Sequence, residues 1–219
     1  MNGYYRLISS MSRGSGGGNP LWNDLLAYYT ADNTPNDALG GSTLTLNNGA
    51  TYGTGIINQS FSFDGVNDYA ETTAPSHDFT TTTTYNLWVY PNDIIGQQFF
   101  IYAPVSSKGA GFGMLSNTLT FTRGSVDFRA RSTGTVTVNT WNMCTCVFRG
   151  NGTNNVDFYI NGSYVDTHSM TGILDSNTLN IGGSQYFNGK LDEIGIWSRE
   201  LTSSEITELY NSGAGLQYT

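Results

Sequence analysis

Carboxylates decide first what chemistry is open to this chain. Hydrolysing a glycosidic bond takes two of them, about 5 Å apart for retention or about 6.5–9.5 Å for inversion. The glutamates are Glu71, Glu193, Glu200, Glu205 and Glu208. The last three belong to a helical stretch near the C-terminal end and its approach. Asp192 and Glu193 are adjacent, and on a regular strand neighbouring side chains face opposite sides. No pair is therefore expected across one groove. His77 stands beside Asp78 in a loop and His168 follows a strand. Neither has the serine and acid partners of a nucleophilic triad, so both read as surface residues.

Sugar binding asks for aromatic faces beside planar polar groups. The chain is 13% aromatic, but Phe61, Phe63, Trp88, Trp141, Phe148, Phe158 and Trp197 sit in apolar strand patterns and are expected in the core. Tyr102, Phe112, Tyr186 and Phe187 remain for a surface, with Lys108, Arg129 and Arg131 as polar partners. Arg129 and Arg131 are two apart on one strand and share a face. The plainer reading of that face is a solvated one. Hard oxygen donors gather in two loops, Asp32, Asn33, Asn36 and Asp37 in one and Asp64, Asn67 and Asp68 in the other. They suit calcium, and they equally suit turns in which Asp and Asn bond their own backbone.

The cysteines, Cys144 and Cys146, point to the same face of a strand, too far apart in direction for a disulfide. They are expected as reduced, small core residues. A zinc site would need further Cys or His nearby.

The elements that would position these residues are mostly strands. Charged residues make up only 12% of the chain, against about 25% in an average domain; Thr, Ser, Asn and Gly supply the polarity, and Thr fits a pleated surface. A formal charge of −8 excludes a nucleic-acid footprint and a basic membrane-surface helix. No apolar run reaches membrane-spanning length. Turn signals at Asn48-Gly49, Asp64-Gly65, Asn151-Gly152, Asn161-Gly162 and Asn188-Gly189 separate short alternating segments. In Val156–Ile160, positions 156, 158 and 160 form an apolar face. Only Thr202, with Glu205 three residues on, opens a helix, predicted over about 203–211 with Ile206, Leu209 and Tyr210 inward.

Residues 1–20 stand apart. Tyr4, Tyr5, Arg6, Leu7 and Ile8 precede the run Ser12-Arg13-Gly14-Ser15-Gly16-Gly17-Gly18, whose composition is that of a flexible linker. Such an arm fits docking onto a larger protein assembly, and equally a frayed terminus. The chain begins without the apolar core of a signal peptide, so the expectation is a whole gene product delivered by assembly or lysis.

Five segments in order carry a resemblance. They are Leu26–Tyr29 with Asn36–Gly40, Phe61–Tyr69, Asn86–Pro91, Trp141 with Val156–Gly162, and above all Phe187–Ile206. Together they resemble laminin-G-like domains of the concanavalin A-like lectin/glucanase superfamily from about Leu25 to about Ala214. The resemblance implies an all-β, two-sheet antiparallel jelly-roll sandwich over 21–219 with one short C-terminal helix. It implies structural calcium at a sheet rim, with Asp32, Asp37 and Asp192 as ligands, since the strand that Asp192 begins lies near the first loop in the family. The family's retaining hydrolases carry a Glu-x-Asp-x-x-Glu pattern that is missing here. The reading is thus a non-catalytic decoration or adhesion protein, on a virion head or tail or an extracellular surface, presenting a glycan-binding surface. A homo-oligomer is compatible with it, while nucleic acid and membrane insertion are not. Its rivals are a particle-stabilising protein with no ligand and a glycoside hydrolase of the same fold.

Overall fold

A computed structural model describes residues 18–72, 77–78, 81–104, 109–124, 129–150, 152–170, 175–176 and 178–219. The arm residues Tyr4 to Ile8 and Lys108 lie outside the described residues, as do the side chains of His77, Asp78 and Arg129. In chain order the strands are β1 (Leu25–Tyr29), β2 (Thr45–Asn47), β3 (Thr51–Thr54), β4 (Gln59–Asp64), β5 (Tyr69–Thr72) and β6 (His77–Asp78). Next come β7 (Thr82–Pro91), β8 (Gln97–Ala103), β9 (Gly109–Leu115), β10 (Thr118–Gly124), β11 (Arg129–Thr135) and β12 (Asn142–Arg149). Then β13 (Gly152–Ile160), β14 (Ser163–Met170), β15 (Asp175–Ser176), β16 (Leu179–Ile181) and β17 (Asn188–Trp197) precede the helix α1 (Ser203–Tyr210).

The strands form the two expected antiparallel sheets. The first runs β14-β13-β12-β7-β17-β4-β3, with β1 also paired to β17, and the second runs β11-β10-β9-β8-β16-β5-β2. β6 and β15 make a small separate ladder. The core between the sheets is rich in phenylalanine. Phe112 of the second sheet stacks on Phe158 of the first at 6.3 Å, and Phe121 meets Phe148 at 5.3 Å. Cys144 and Cys146 point into this core as free, fully buried thiols, while Met143 and Val147, one residue out of phase, point the other way.

That other side of the first sheet is buried too. Leu21 and Trp22 of a single 3₁₀ turn, Ile206 and Leu209 of α1, and the tail residues Leu216 and Tyr218 pack over Trp88, Met143, Val147, Tyr159 and Trp197. Trp22 stacks on Trp197 at 6.1 Å, and the Trp197 indole N–H donates to the Leu21 carbonyl at 2.9 Å. Asn19 caps the 3₁₀ turn and bonds Glu208, so the sandwich begins a residue or two before the position at which composition places it. The helix forms as expected, with Thr202 and Glu205 closing a capping box. Arg199 grips both Glu205 oxygens, at 2.6 and 3.0 Å, and the carbonyls of Pro20, Leu21 and Asn23. Among the described residues no helix is long and apolar enough to cross a membrane.

Candidate functional site

On the second sheet, the strand phase decides which side chains leave the core. Ala110, Phe112 and Met114 of β9 are buried inward, as are Leu119 and Phe121 of β10, Leu179 and Ile181 of β16, and Ala70 of β5. Gly111 and Gly113, Thr120 and Thr122, Asn180, and Tyr69 and Glu71 therefore face outward. Register places Asn180 opposite both Glu71 and Tyr102, Tyr102 opposite Gly111, and Thr120 opposite Arg131. A bulge in β8 between Phe99 and Ile101 lets Phe99 and Tyr102 share this face, with ring centroids 5.0 Å apart. The Phe99 ring lies over Gly111 of β9, where a Cβ would come within 2.6 Å of it. Gln97 donates to the Met114 carbonyl and to Thr120 Oγ1, both at 3.0 Å. Its own Oε1, and Oδ1 of Asn180, are buried and accept no hydrogen bond.

Of the expected sugar contacts, this face holds Tyr102 and Arg131, and Arg129 shares its strand. Arg131 is exposed, with its Nε on Thr118 at 2.7 Å. Tyr186 is exposed on the loop before β17. Phe112 and Phe187 are corrections. Both are fully buried, Phe112 against Phe100 and Phe158, and Phe187 against Phe63 and Phe100. Phe112 misled because its neighbours in β9 are glycines, which carry no polar side to reveal the strand's phase.

A second cluster lies on the covered face of the first sheet. β17 bulges between Asp192 and Gly195, with Glu193 at φ 48°. The bulge breaks the expected alternation, and both carboxyls turn to the same side, 0% and 1% exposed. Asp192 Oδ2 accepts the amides of Ile56 and Ile57 at 2.9 and 3.2 Å, and its Oδ1 accepts that of Glu193. These bonds hold Ile56–Asn58 in a bend. Glu193 Oε2 lies 2.5 Å from the Tyr28 hydroxyl, and the Gln217 amide bridges Glu193 and Asp32, at 2.8 Å to each. Burial pushes Asp192 up to about 7 and Glu193 up to about 8, with the mutual charge and Asp32 adding to the rise for Glu193.

The residues implied as calcium ligands are engaged mostly by N–H donors. Asp37 Oδ1 accepts the amides of Tyr28 and Leu39, both at 3.0 Å, while its Oδ2 is buried without a hydrogen-bond partner. Both oxygens of Asp32 and both of Asp192 are taken up by N–H donors. Among the described residues no group of three His, Cys, Asp or Glu side chains is arranged to hold a metal.

Solved structures share this architecture. The binding domain of botulinum neurotoxin DC, in complex with rat synaptotagmin II, matches at TM-score 0.70 and 18% identity, over 86% of this chain and 51% of that one. The same binding domain in complex with SialylT matches at 0.70 and 17%, over 88% and 52%. Domain 4 of AbnA, a GH43 extracellular arabinanase from Geobacillus stearothermophilus, in complex with arabinotriose, matches at 0.68 and 19%, over 84% and 97%. At these identities the likeness is one of fold, and the chain spans about half the length of the toxin binding domains it matches. No curated protein sequence matches it. Residues 64–207, well over half of the sequence, match the Laminin_G_3 family of the concanavalin A-like lectin/glucanases superfamily, and the chain belongs to that family.

Proposed function

We propose that this chain is a non-catalytic glycan-binding domain, held on a larger assembly such as a virion head or tail through residues 1–20. The outward face of the second sheet carries the reading. There an aromatic pair, Phe99 and Tyr102, adjoins two buried amide oxygens, of Gln97 and Asn180, that accept no hydrogen bond. A buried acceptor left unpaired costs about 1–3 kcal/mol; both oxygens are enclosed, so a sugar hydroxyl, as a donor, relieves that cost once the Gln97 or Asn180 side chain turns outward. Glu71 and Arg131 add planar charged groups farther out on the same face, opposite Asn180 and Thr120 respectively. Both apolar clusters lie elsewhere, between the sheets and on the first sheet's outer side. The adjacent carboxyls of Asp192 and Glu193 are sealed beneath the C-terminal tail, away from this face.

A glycan array tests the reading. The protein should bind at least one oligosaccharide, and Tyr102→Ala should weaken that binding about tenfold, equivalent to about 1.4 kcal/mol, with an unchanged melt. A protein that binds no glycan, yet still raises the melting temperature of its parent particle, would be the purely structural alternative.

A further inference from the structure

A groove of about 600 Å³ opens between α1 and the β13–β14 turn, against the first sheet and away from the outward face of the second. Ligand pockets run about 300–1,000 Å³. Asn161 and Ser163 of the turn form one wall, Ser204, Thr207 and Glu208 of the helix the other, and Tyr210 lies between them. The helical spacing 204, 207, 208 keeps that second wall on one face.

The groove is held in shape. The Tyr210 ring stacks on Trp88 at 5.6 Å and 20°. The turn backbone rests on it directly: Gly162 has φ 74°, and a Cβ there would lie 2.9 Å from Tyr210 Cβ. Asn161 Oδ1 accepts the Met143 amide at 2.9 Å, and Asn211 Nδ2 donates to the Gly215 carbonyl at 2.8 Å. Glu208 Oε1 accepts from Asn19 at 2.7 Å. Each of these side chains is thus fixed by one end. The other ends, the Asn161 amide nitrogen, the Asn211 carbonyl oxygen and Glu208 Oε2, have no partner among the described residues, nor do the hydroxyls of Ser163, Ser204 and Ser212. Donors and acceptors fixed in advance beside an aromatic side chain match a hydroxyl-rich ligand at little ordering cost.

Charge narrows the ligand. Glu208 is the single formally charged side chain among the lining residues, and the whole chain carries −8. A sialic acid carboxylate would meet repulsion there, with no cation among the described lining residues to answer it.

We propose that this groove is a saccharide site selective for neutral over sialylated oligosaccharides. The proposal rests on the glycan-binding reading and assigns it a second location. The test uses the full chain on an array carrying neutral oligosaccharides and their sialylated counterparts, followed by titration calorimetry with the best neutral probe. Two exposed positions, Ser204→Arg and Ser163→Arg, each fill the groove, and thermal melts confirm that both variants fold. Each should lower affinity for the neutral probe about tenfold or more, equivalent to about 1.4 kcal/mol, while Tyr102→Ala leaves part of the binding intact. Glu208→Gln should narrow the neutral-to-sialylated preference several-fold. Neutral binding that survives both arginine variants but is lost in Tyr102→Ala overturns the groove and leaves the sheet face standing. A native preference for sialylated probes overturns it as well, and no binding to any probe overturns both readings.

Discussion

Glu193 poses a proton-counting problem. The Tyr28 hydroxyl has one hydrogen but lies 2.5 Å from Glu193 Oε2 and 3.1 Å from the Leu216 carbonyl. A protonated Glu193 resolves it by donating to the Tyr28 oxygen and leaving the tyrosine hydrogen for Leu216. Burial, which disfavours the carboxylate, pushes the group the same way, to about 8, and Asp192 to about 7. The sign follows from linkage. Unfolded carboxyls release their protons near pH 4, so between that point and about 8 the folded chain holds more protons than the unfolded one. This contribution is complete at the acid end of the window and is lost as pH rises through the folded values. Asp93 and Glu205 are shifted downward and work in the opposite sense, below that window. The melting temperature should therefore fall by several degrees between pH 5 and pH 8.5. In Glu193→Gln, whose amide can donate permanently to Tyr28, about half of that slope should vanish in thermal scans across the range, the share of Asp192 remaining. An equal slope in both proteins would place the titrating groups elsewhere.

Among the elements, α1 has only eight residues, too short to persist alone in water. Its stability comes from Ile206 and Leu209, buried on the sheet and worth about 1.5–3 kcal/mol each, and from its cap. Thr202→Ala removes the cap acceptor for the Glu205 amide and should cost about 1 kcal/mol in denaturant unfolding, with the slope of the transition unchanged. This helix was legible from the chain because its cap and apolar spacing are local. Long strands were legible for the same reason: Val156, Phe158 and Ile160 do face the inner core. What was not legible depends on distant contacts. β2 and β3 are three and four residues long and owe their extended form to pairing with β5 and β4. The bulge at Asp192–Glu193 inverts a side-chain phase that alternation alone gets wrong. Of the candidate sugar contacts, Tyr102 and Arg131 reach one face, whereas the Gln97 and Asn180 amides beside them gave no signal, since an unpaired oxygen is visible only once its neighbours are placed.

At the scale of the molecule, the first sheet is covered on both faces and the termini take part in the covering. Leu21 and Trp22 lock one side of Trp197, while Leu216, Gln217 and Tyr218 close over Tyr28 and Glu193. Among the described residues these contacts reach back to Asn19, whose side chain caps the first turn and reaches Glu208. Residues 1–17 lie before every one of these contacts and combine Tyr4, Tyr5, Arg6, Leu7 and Ile8 with a glycine-serine run. A segment joined to a domain through such a run adds little to the domain's own stability. It can add much to attachment, because several copies on one assembly convert weak single contacts into tight collective binding. Deleting residues 1–17 should leave the melting temperature within about a degree of the full chain, since the Asn19 cap and the packing of Leu21 and Trp22 all stay in place. The same deletion should abolish incorporation into the parent assembly, read as stoichiometry by mass spectrometry of purified particles. Extending the deletion through Trp22 should instead lower the melting temperature sharply, because Leu21 and Trp22 leave Trp197 unpacked. If the shorter deletion still incorporates at normal stoichiometry, attachment belongs to the sandwich. The second sheet's outward face would then be the first surface to examine as a protein contact.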